Sequence, residues 1–308
     1  MGWARAAFEI MGTSAELLVG GVDAEGLIDL SQFRLSELEA KWSRFAYSSE
    51  VSALNRSAGR RMSVSADTAT LVEVAIRGWR QTEGDFDPTV LGFLLAAGYD
   101  RTFAEMADRG RRDRPRVVPF GLGCGGILVD VERSQVTLPT GVGFDPGGVG
   151  KGLAADLVAG EAIEAGAVGV CVNVGGDIRV MGPSPTGGPW IVEIPDVGAE
   201  SGPHTVSLFD GAIASSSPAV RRWTDGSLDR HHLIDPHTGR SVDGDVGSVS
   251  VVASQGWQAD VLTKAVFVRG AEAGLALVES VGAAALVVRT DGVERRTPSW
   301  ARHTGAPG

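Results

Sequence analysis

The stretch "AVGVCVNVGGDIRVMG" (Ala167–Gly182) decides the fold class. Two β-branched, apolar runs follow one another, broken only by the pair Gly175-Gly176, with Asp177 just past the break. We read a buried strand continued by a second strand, the paired glycines marking a bulge or a point of close backbone approach. A strand here follows a strand without an intervening helix. Downstream the pattern predicts strands over Trp190–Pro195, His204–Leu208, Gly211–Ser215 and Gly247–Ala253. Helices over Trp257–Val268 and Ala271–Val281 and a closing strand over Ala283–Arg289 complete that half. Upstream, "GGILVDVERSQVTL" holds two strand-like runs, and a helix spans Ala66–Thr82. A longer helix covers Leu27–Phe45, where Leu27, Leu30, Phe33, Leu35, Leu38 and Trp42 recur at helical spacing. "FEIMGTSAELLVGG" reads as a strand kinked at Gly12, and "AYSSEVSALNRSAG" and "DRGRRDRPR" as loops. Strands outnumber helices and do not alternate with them, so the class is α+β rather than a doubly wound sheet.

The composition narrows the function. The 308 residues can bury a substantial core, and no Pro/Gly/Ser linker or short repeat divides them. We expect one domain over 1–308, with room for two subdomains whose boundary the sequence does not mark. A net charge of −10 argues against nucleic acid or an anionic membrane as partner. Two cysteines, Cys124 and Cys171, provide neither a disulfide framework nor a cysteine metal site. No apolar run can span a bilayer, and "MGWARAAFEIMGTSAELLVGG" has no continuous apolar h-region. The expectation is a cytoplasmic protein without a signal peptide.

Three short segments carry residues suited to chemistry. "DPGGVGKGLAAD" (Asp145–Asp156) resembles a P-loop only superficially, because Asp145 stands where the first Gly belongs and Gly152 replaces the Mg²⁺-binding Ser or Thr. What remains is Gly147, Gly148, Gly150 and Lys151 at the start of a helix, either a plain turn or a place favourable to an anion. "RHHLIDPHTG" gathers His231, His232, Asp235 and His237, either a polar turn or the source of a proton acceptor. "QADVLTKAVF" sets Asp260, Thr263 and Lys264 on adjoining faces of one helix.

Taken in order, "MGTSAEL", "SRFAYSSEVSALN", "GDFDPTV", "GFDPGGVGKGLAAD", "VNVGGDI", "GAIASSS", "HLIDPHTG" and "ADVLTKAVFV" resemble the ApbE family, the FAD:protein FMN transferases. The resemblance runs from Met11 to about Gly270. It implies an α+β body akin to duplicated T-fold units, with mixed or antiparallel sheets and packed helices. It implies Mg²⁺-dependent cleavage of FAD, release of AMP, and transfer of FMN through a phosphoester to a Ser or Thr of an acceptor protein. Hydrolysis of FAD to FMN and AMP, and FAD binding without catalysis, are the alternatives. Position by position, it assigns Met11 and Phe45 to the flavin and Asp85, Phe86, Asp87 and Asp145 to the nucleotide. Lys151 falls on the pyrophosphate, the Gly148 carbonyl and Asp260 on the metal, and His232 at the base; Thr263, though not at the family's position, is expected as a further metal ligand. The chain departs from the pattern in three ways. Ser215-Ser216-Ser217 stands where Ala-Thr-Ser-Gly is usual, and the exported, lipid-anchored leader common in the family is not seen. The third is Lys264, at the place four residues after the aspartate where a Thr is usual, with Thr263 one residue early.

Overall fold

The computed structural model describes residues 1–106, 123–194, 204–219, 221–225 and 228–304. The expected loop "DRGRRDRPR" lies outside them. The chain forms two compact units: residues 1–37, 151–217 and 244–308 make the first, and residues 38–150 and 218–243 the second.

The first unit is built on an eight-stranded sheet in which every neighbouring pair is antiparallel. Its strands, in spatial order, are Gly2–Ile10, Thr13–Gly21, Gly169–Val174, Asp177–Met181, Gly211–Ser216, Val246–Ala253, Ala284–Arg289 and Glu294–Arg296. The stretch Ala167–Gly182 therefore folds as a hairpin. Val174 pairs with Asp177, and Gly175 (φ 63°) and Gly176 (φ 91°) form its two-residue turn. That turn needs positive φ at both positions to match the strand twist, which glycine supplies without steric cost. The expected kink at Gly12 is likewise a hairpin, with Ile10 opposite Thr13 and Met11 (φ 52°) and Gly12 (φ 68°) between them. The two turns lie together: the Gly175 N–H donates to the Ser14 carbonyl at 2.9 Å, and a Cβ on Gly175 would meet Thr13 Oγ1 at 2.6 Å.

Helix Gly256–Arg269 packs on strands Gly211–Ser216 and Val246–Ala253, and helix Ala271–Ser280 packs on strand Ala284–Arg289. Both helices and most later strands fall within two residues of the sequence expectation. A separate hairpin, Trp190–Ile194 with His204–Leu208, buries Trp190, Val192, Ile194 and Val206 in a cluster with Ile213, Leu286 and Trp300. Helix Ala24–Trp42 ends three residues before the expected Phe45. Its buried stripe is Leu27, Ile28, Ser31, Leu35, Leu38 and Trp42, whereas Leu30 and Phe33, expected on the apolar face, are exposed.

The second unit contains helix Ala66–Gln81, a three-stranded sheet of Arg61–Ser63, Leu128–Asp130 and Gln135–Thr137, and the short helix Leu91–Ala96. The expected loop "AYSSEVSALNRSAG" holds a helix, Glu50–Arg56, begun by Ser49, whose side chain accepts the Ser52 N–H at 3.0 Å. Leu94, Ala97, Tyr99, Trp223 and Ile234 pack together here, and Trp223 Nε1 donates to the Ala97 carbonyl at 2.9 Å.

Candidate functional site

The first unit gathers four charges beside the Gly175-Gly176 turn. Asp177 opens the strand that leaves the turn, and Lys151 occupies the first turn of helix Gly150–Glu164. Lys151 Nζ is ion-paired to Asp177 Oδ2, and Lys264 Nζ to Asp260 Oδ1. Asp260 and Lys264 stand one helical turn apart on helix Gly256–Arg269, as the spacing predicts. Both carboxylates are buried, Asp177 to 1% exposure and Asp260 to 0%. Burial and the neighbouring Asp260 charge raise Asp177 to about 6, against the pull of Lys151 and Lys264. Asp260 also feels burial, but the Lys264 and Lys151 ammoniums outweigh it and hold its carboxyl below the usual range. Asp260 Oδ2 is buried and receives no hydrogen bond from an N–H or hydroxyl group.

On the other flank of the same helix, the Thr263 hydroxyl donates to the Asp260 carbonyl at 2.7 Å and shares a hydrogen bond with Ser216 Oγ at 2.8 Å. The neighbouring Ser215 is bonded to Ser250 Oγ across the strands at 2.7 Å. Of the unusual serines of "GAIASSS", Ser216 thus places a hydroxyl beside Thr263, next to the charged group, whereas Ser215 bonds Ser250.

The two helices that carry the lysines are locked together. A Cβ on Gly152 would lie 2.3 Å from the Gly256 carbonyl oxygen, which explains why glycine follows Lys151. One turn on, Asp156 accepts the backbone N–H groups of Gly256 at 2.7 Å and Trp257 at 3.0 Å, capping a helix whose own N-cap residue, Gln255, makes no side-chain cap. Arg179 Nε approaches Asp156 at 3.3 Å, and its Nη1 donates to Asp210 at 2.6 Å.

Within the second unit, Arg44 is the organising residue. Its Nε lies 3.2 Å from Asp145 Oδ1, its Nη1 donates to the Tyr99 carbonyl at 3.0 Å, and its guanidinium sits over the rings of Phe45 (4.1 Å) and Tyr99 (4.6 Å). Phe45 is 39% exposed and meets Tyr99 edge-on at 5.8 Å. Arg44 Nη2 is buried without a hydrogen-bond partner. The residues of the "DFD" turn diverge. Asp85 faces His237 Nε2 at 3.0 Å, the Phe86 side chain is buried, and Asp87 accepts the Thr89 N–H at 2.7 Å and its hydroxyl at 2.5 Å. Burial raises the Asp87 carboxyl even against the Thr89 hydrogen bonds.

The histidines also separate. His231 is buried, its Nε2 donating to the Val242 carbonyl at 2.9 Å, and burial lowers its basicity. His232 is half-buried. "DPHTG" closes as a polar turn: Asp235 accepts the His237 N–H at 2.8 Å and the Thr238 hydroxyl at 2.9 Å. Among the described residues no three His, Cys, Asp or Glu side chains gather as a metal-binding set. No helix among them is long and apolar enough to cross a membrane.

Sequence reasoning gave no role to Asp177, Asp156, Arg44 or Tyr99. The signals for the first two were a carboxylate directly after a glycine turn and another five residues beyond Lys151. Arg44 and Tyr99 carry no local signal, since only the fold brings them together.

Known proteins match this chain along most of its length. It is 30% identical over 269 residues to the FAD:protein FMN transferase of Vibrio cholerae, an alignment covering 83% of this chain and 78% of that protein. The FAD:protein FMN transferase of Escherichia coli K12 is 27% identical over 297 residues, covering 93% and 84%. Among solved structures, the flavin transferase ApbE from Vibrio cholerae superposes with a TM-score of 0.80 at 26% identity, over 98% of this chain and 99% of that one. The fold is also that of the ApbE protein from Thermotoga maritima, with a TM-score of 0.86 at 24% identity over 99% and 100%. The family model described as the ApbE family matches residues 11–287, and the chain belongs to that family.

Proposed function

We propose that this chain is an FAD:protein FMN transferase that cleaves the pyrophosphate of FAD and joins the FMN half to a Ser or Thr hydroxyl of another protein. The observation that carries the reading is the buried Lys151–Asp177 and Asp260–Lys264 group in a chain whose relatives bear that activity by name. In the reaction the acceptor oxygen attacks the FMN phosphorus, the P–O bond to the AMP phosphate breaks with its electrons leaving on AMP, and the hydroxyl proton passes to His232. Such chemistry asks for positioning and charge neutralisation more than covalent help. Lys151, at a helix N-terminus, offers the phosphates an ammonium held in place by Asp177. Met11 and Phe45 serve the flavin in this reading, and Asp85, Phe86, Asp87 and Asp145 the nucleotide.

Mg²⁺ is part of the proposal, with Asp260 and Thr263 as side-chain ligands and Gly148 contributing its carbonyl. The donors suit a hard cation: all are oxygens, and Asp260 Oδ2 is a buried carboxylate oxygen that no N–H or hydroxyl satisfies. When bound, the ion neutralises charge on the phosphoryl oxygens. The Thr263 hydroxyl spends its proton on the Asp260 carbonyl, so its lone pairs are what it has to offer.

The test is to incubate the purified protein with FAD and Mg²⁺ and measure AMP release with and without Ser/Thr acceptor peptides. Flavinylated peptide is the expected product. AMP released equally without acceptor would make the protein an FAD pyrophosphatase, and no AMP under any metal would leave an FAD-binding protein.

A further inference from the structure

The charged group in the first unit contains its own competitor for a divalent ion. Asp260 is fully buried, and one of its oxygens is taken by Lys264 from one turn further along the same helix. Its other oxygen is unsatisfied by any N–H or hydroxyl, with the Asp177 carboxyl as its charged neighbour. Two buried carboxylates side by side need positive charge, and two ammoniums supply it in full. A divalent ion arriving at Asp260 would meet a carboxylate already neutralised and an ammonium that repels it.

The two lysines are not equivalent. Lys151 pairs with Asp177, whereas Lys264 pairs with Asp260, the proposed metal ligand, and the two side chains are about equally buried. Lys264 stands mid-helix with its side chain 18% exposed, on a four-carbon stem that can carry the ammonium outward while the backbone stays still. Thr263, bonded to Ser216, lies on the flank of Asp260 opposite Lys264.

We propose that Lys264 is the resident cation of Asp260 and exchanges with a divalent ion there: the ammonium holds the carboxylate when the ion is absent and swings outward when it binds. This rests on the metal site proposed above and concerns how that site is filled. Removing the ammonium then strengthens metal binding, whereas a merely structural lysine would weaken it or leave it unchanged.

The experiment measures Mn²⁺ binding by electron paramagnetic resonance, without FAD, in the parent protein and in Lys264→Met and Lys264→Arg. The expected result is Mn²⁺ affinity at least tenfold tighter in Lys264→Met, with Lys264→Arg as weak as the parent because it keeps the charge. Adding Asp260→Asn to Lys264→Met should abolish the gain. If Lys264→Met is poorly folded on its own, Mg²⁺ should raise its melting temperature by several degrees while leaving the parent's unmoved. Equal Mn²⁺ affinity in the parent and Lys264→Met, with no Mg²⁺-dependent shift in either, overturns the exchange. AMP release by the parent is measured alongside: release with unchanged Mn²⁺ affinity sinks the exchange alone, and no release with the tenfold gain sinks the transferase reading alone.

Discussion

Gly152 and Gly256 face each other backbone to backbone: a Cβ on Gly152 would stand 2.3 Å from the Gly256 carbonyl oxygen, and one on Gly256 would stand 2.6 Å from the Gly152 carbonyl oxygen. This contact fixes how helix Gly150–Glu164 meets helix Gly256–Arg269, and so where Lys151 lies relative to Asp260 and Lys264. Gly152→Ala raises helix propensity by about 1 kcal/mol in isolation. The clash is with backbone, which cannot rotate away, so the helices must part. We expect a net loss of about 1–3 kcal/mol and a larger proportional loss of AMP release. Denaturant melts and the AMP assay check this; a variant as active and stable as the parent would contradict it.

Asp156 links the same two helices by capping, and its burial has a pH signature. Burial raises its pKa to about 6 despite the Gly256 and Trp257 N–H groups and Arg179. The unfolded value is about 3.9, so between about pH 4 and 6 the folded protein binds more protons than the unfolded one. Asp156 therefore costs stability as pH rises through that window, and the cost is complete above about 6. Asp156→Asn keeps a capping oxygen without the charge. Its stability relative to the parent should be best at pH 7–8 and decline as pH falls toward 4, by about 2–3 kcal/mol over the window. Asp156→Ala loses the cap at every pH, at about 1–2 kcal/mol.

The helices and strands were largely legible from sequence because their apolar periods are long. Helix Ala66–Gln81 has a serine cap and a clean apolar stripe, and strand His204–Leu208 alternates plainly. What failed was local geometry without a period. Helix Glu50–Arg56 is seven residues long, too short for a stripe, and only Ser49 announces it. The Met11-Gly12 turn escaped because methionine is not a residue expected at positive φ. In the site, Asp260, Thr263 and Lys264 were legible because one helix carries them. Asp177 and Lys151 are 26 residues apart and meet only through the sheet. Leu30 and Phe33 show the opposite error: apolar at helical spacing, yet on the exposed side.

Met11 carries strain at the turn of the first hairpin, with φ at 52°. A left-handed conformation costs an ordinary residue about 1–2 kcal/mol, and such strain tends to persist where a side chain is needed. Met11→Gly should raise stability by about 1 kcal/mol in thermal or denaturant melts. If Met11 serves the flavin as proposed, the same variant binds FAD several-fold more weakly in a fluorescence titration. Gain of stability with unchanged FAD affinity would remove Met11 from the flavin site.

His231 and His232 are neighbours in sequence with opposite expected phenotypes. His231 is buried and donates to the Val242 carbonyl, so His231→Ala leaves that carbonyl without its partner and opens a cavity. The expected cost is about 1–3 kcal/mol of stability with little change in AMP release per folded molecule. Burial also lowers the His231 pKa. The unfolded chain then takes up the proton first, and the parent loses stability as pH falls below about 6.5 in a way His231→Ala does not. His232, half-buried and proposed as the base, should behave the other way. His232→Ala should melt within about 1 kcal/mol of the parent and bind FAD within a few-fold, while AMP release falls by about 10²–10⁴. Melts, FAD titration and AMP assays on the two variants, normalised to folded protein, separate the roles. A rate loss confined to His231→Ala would place the base one residue earlier.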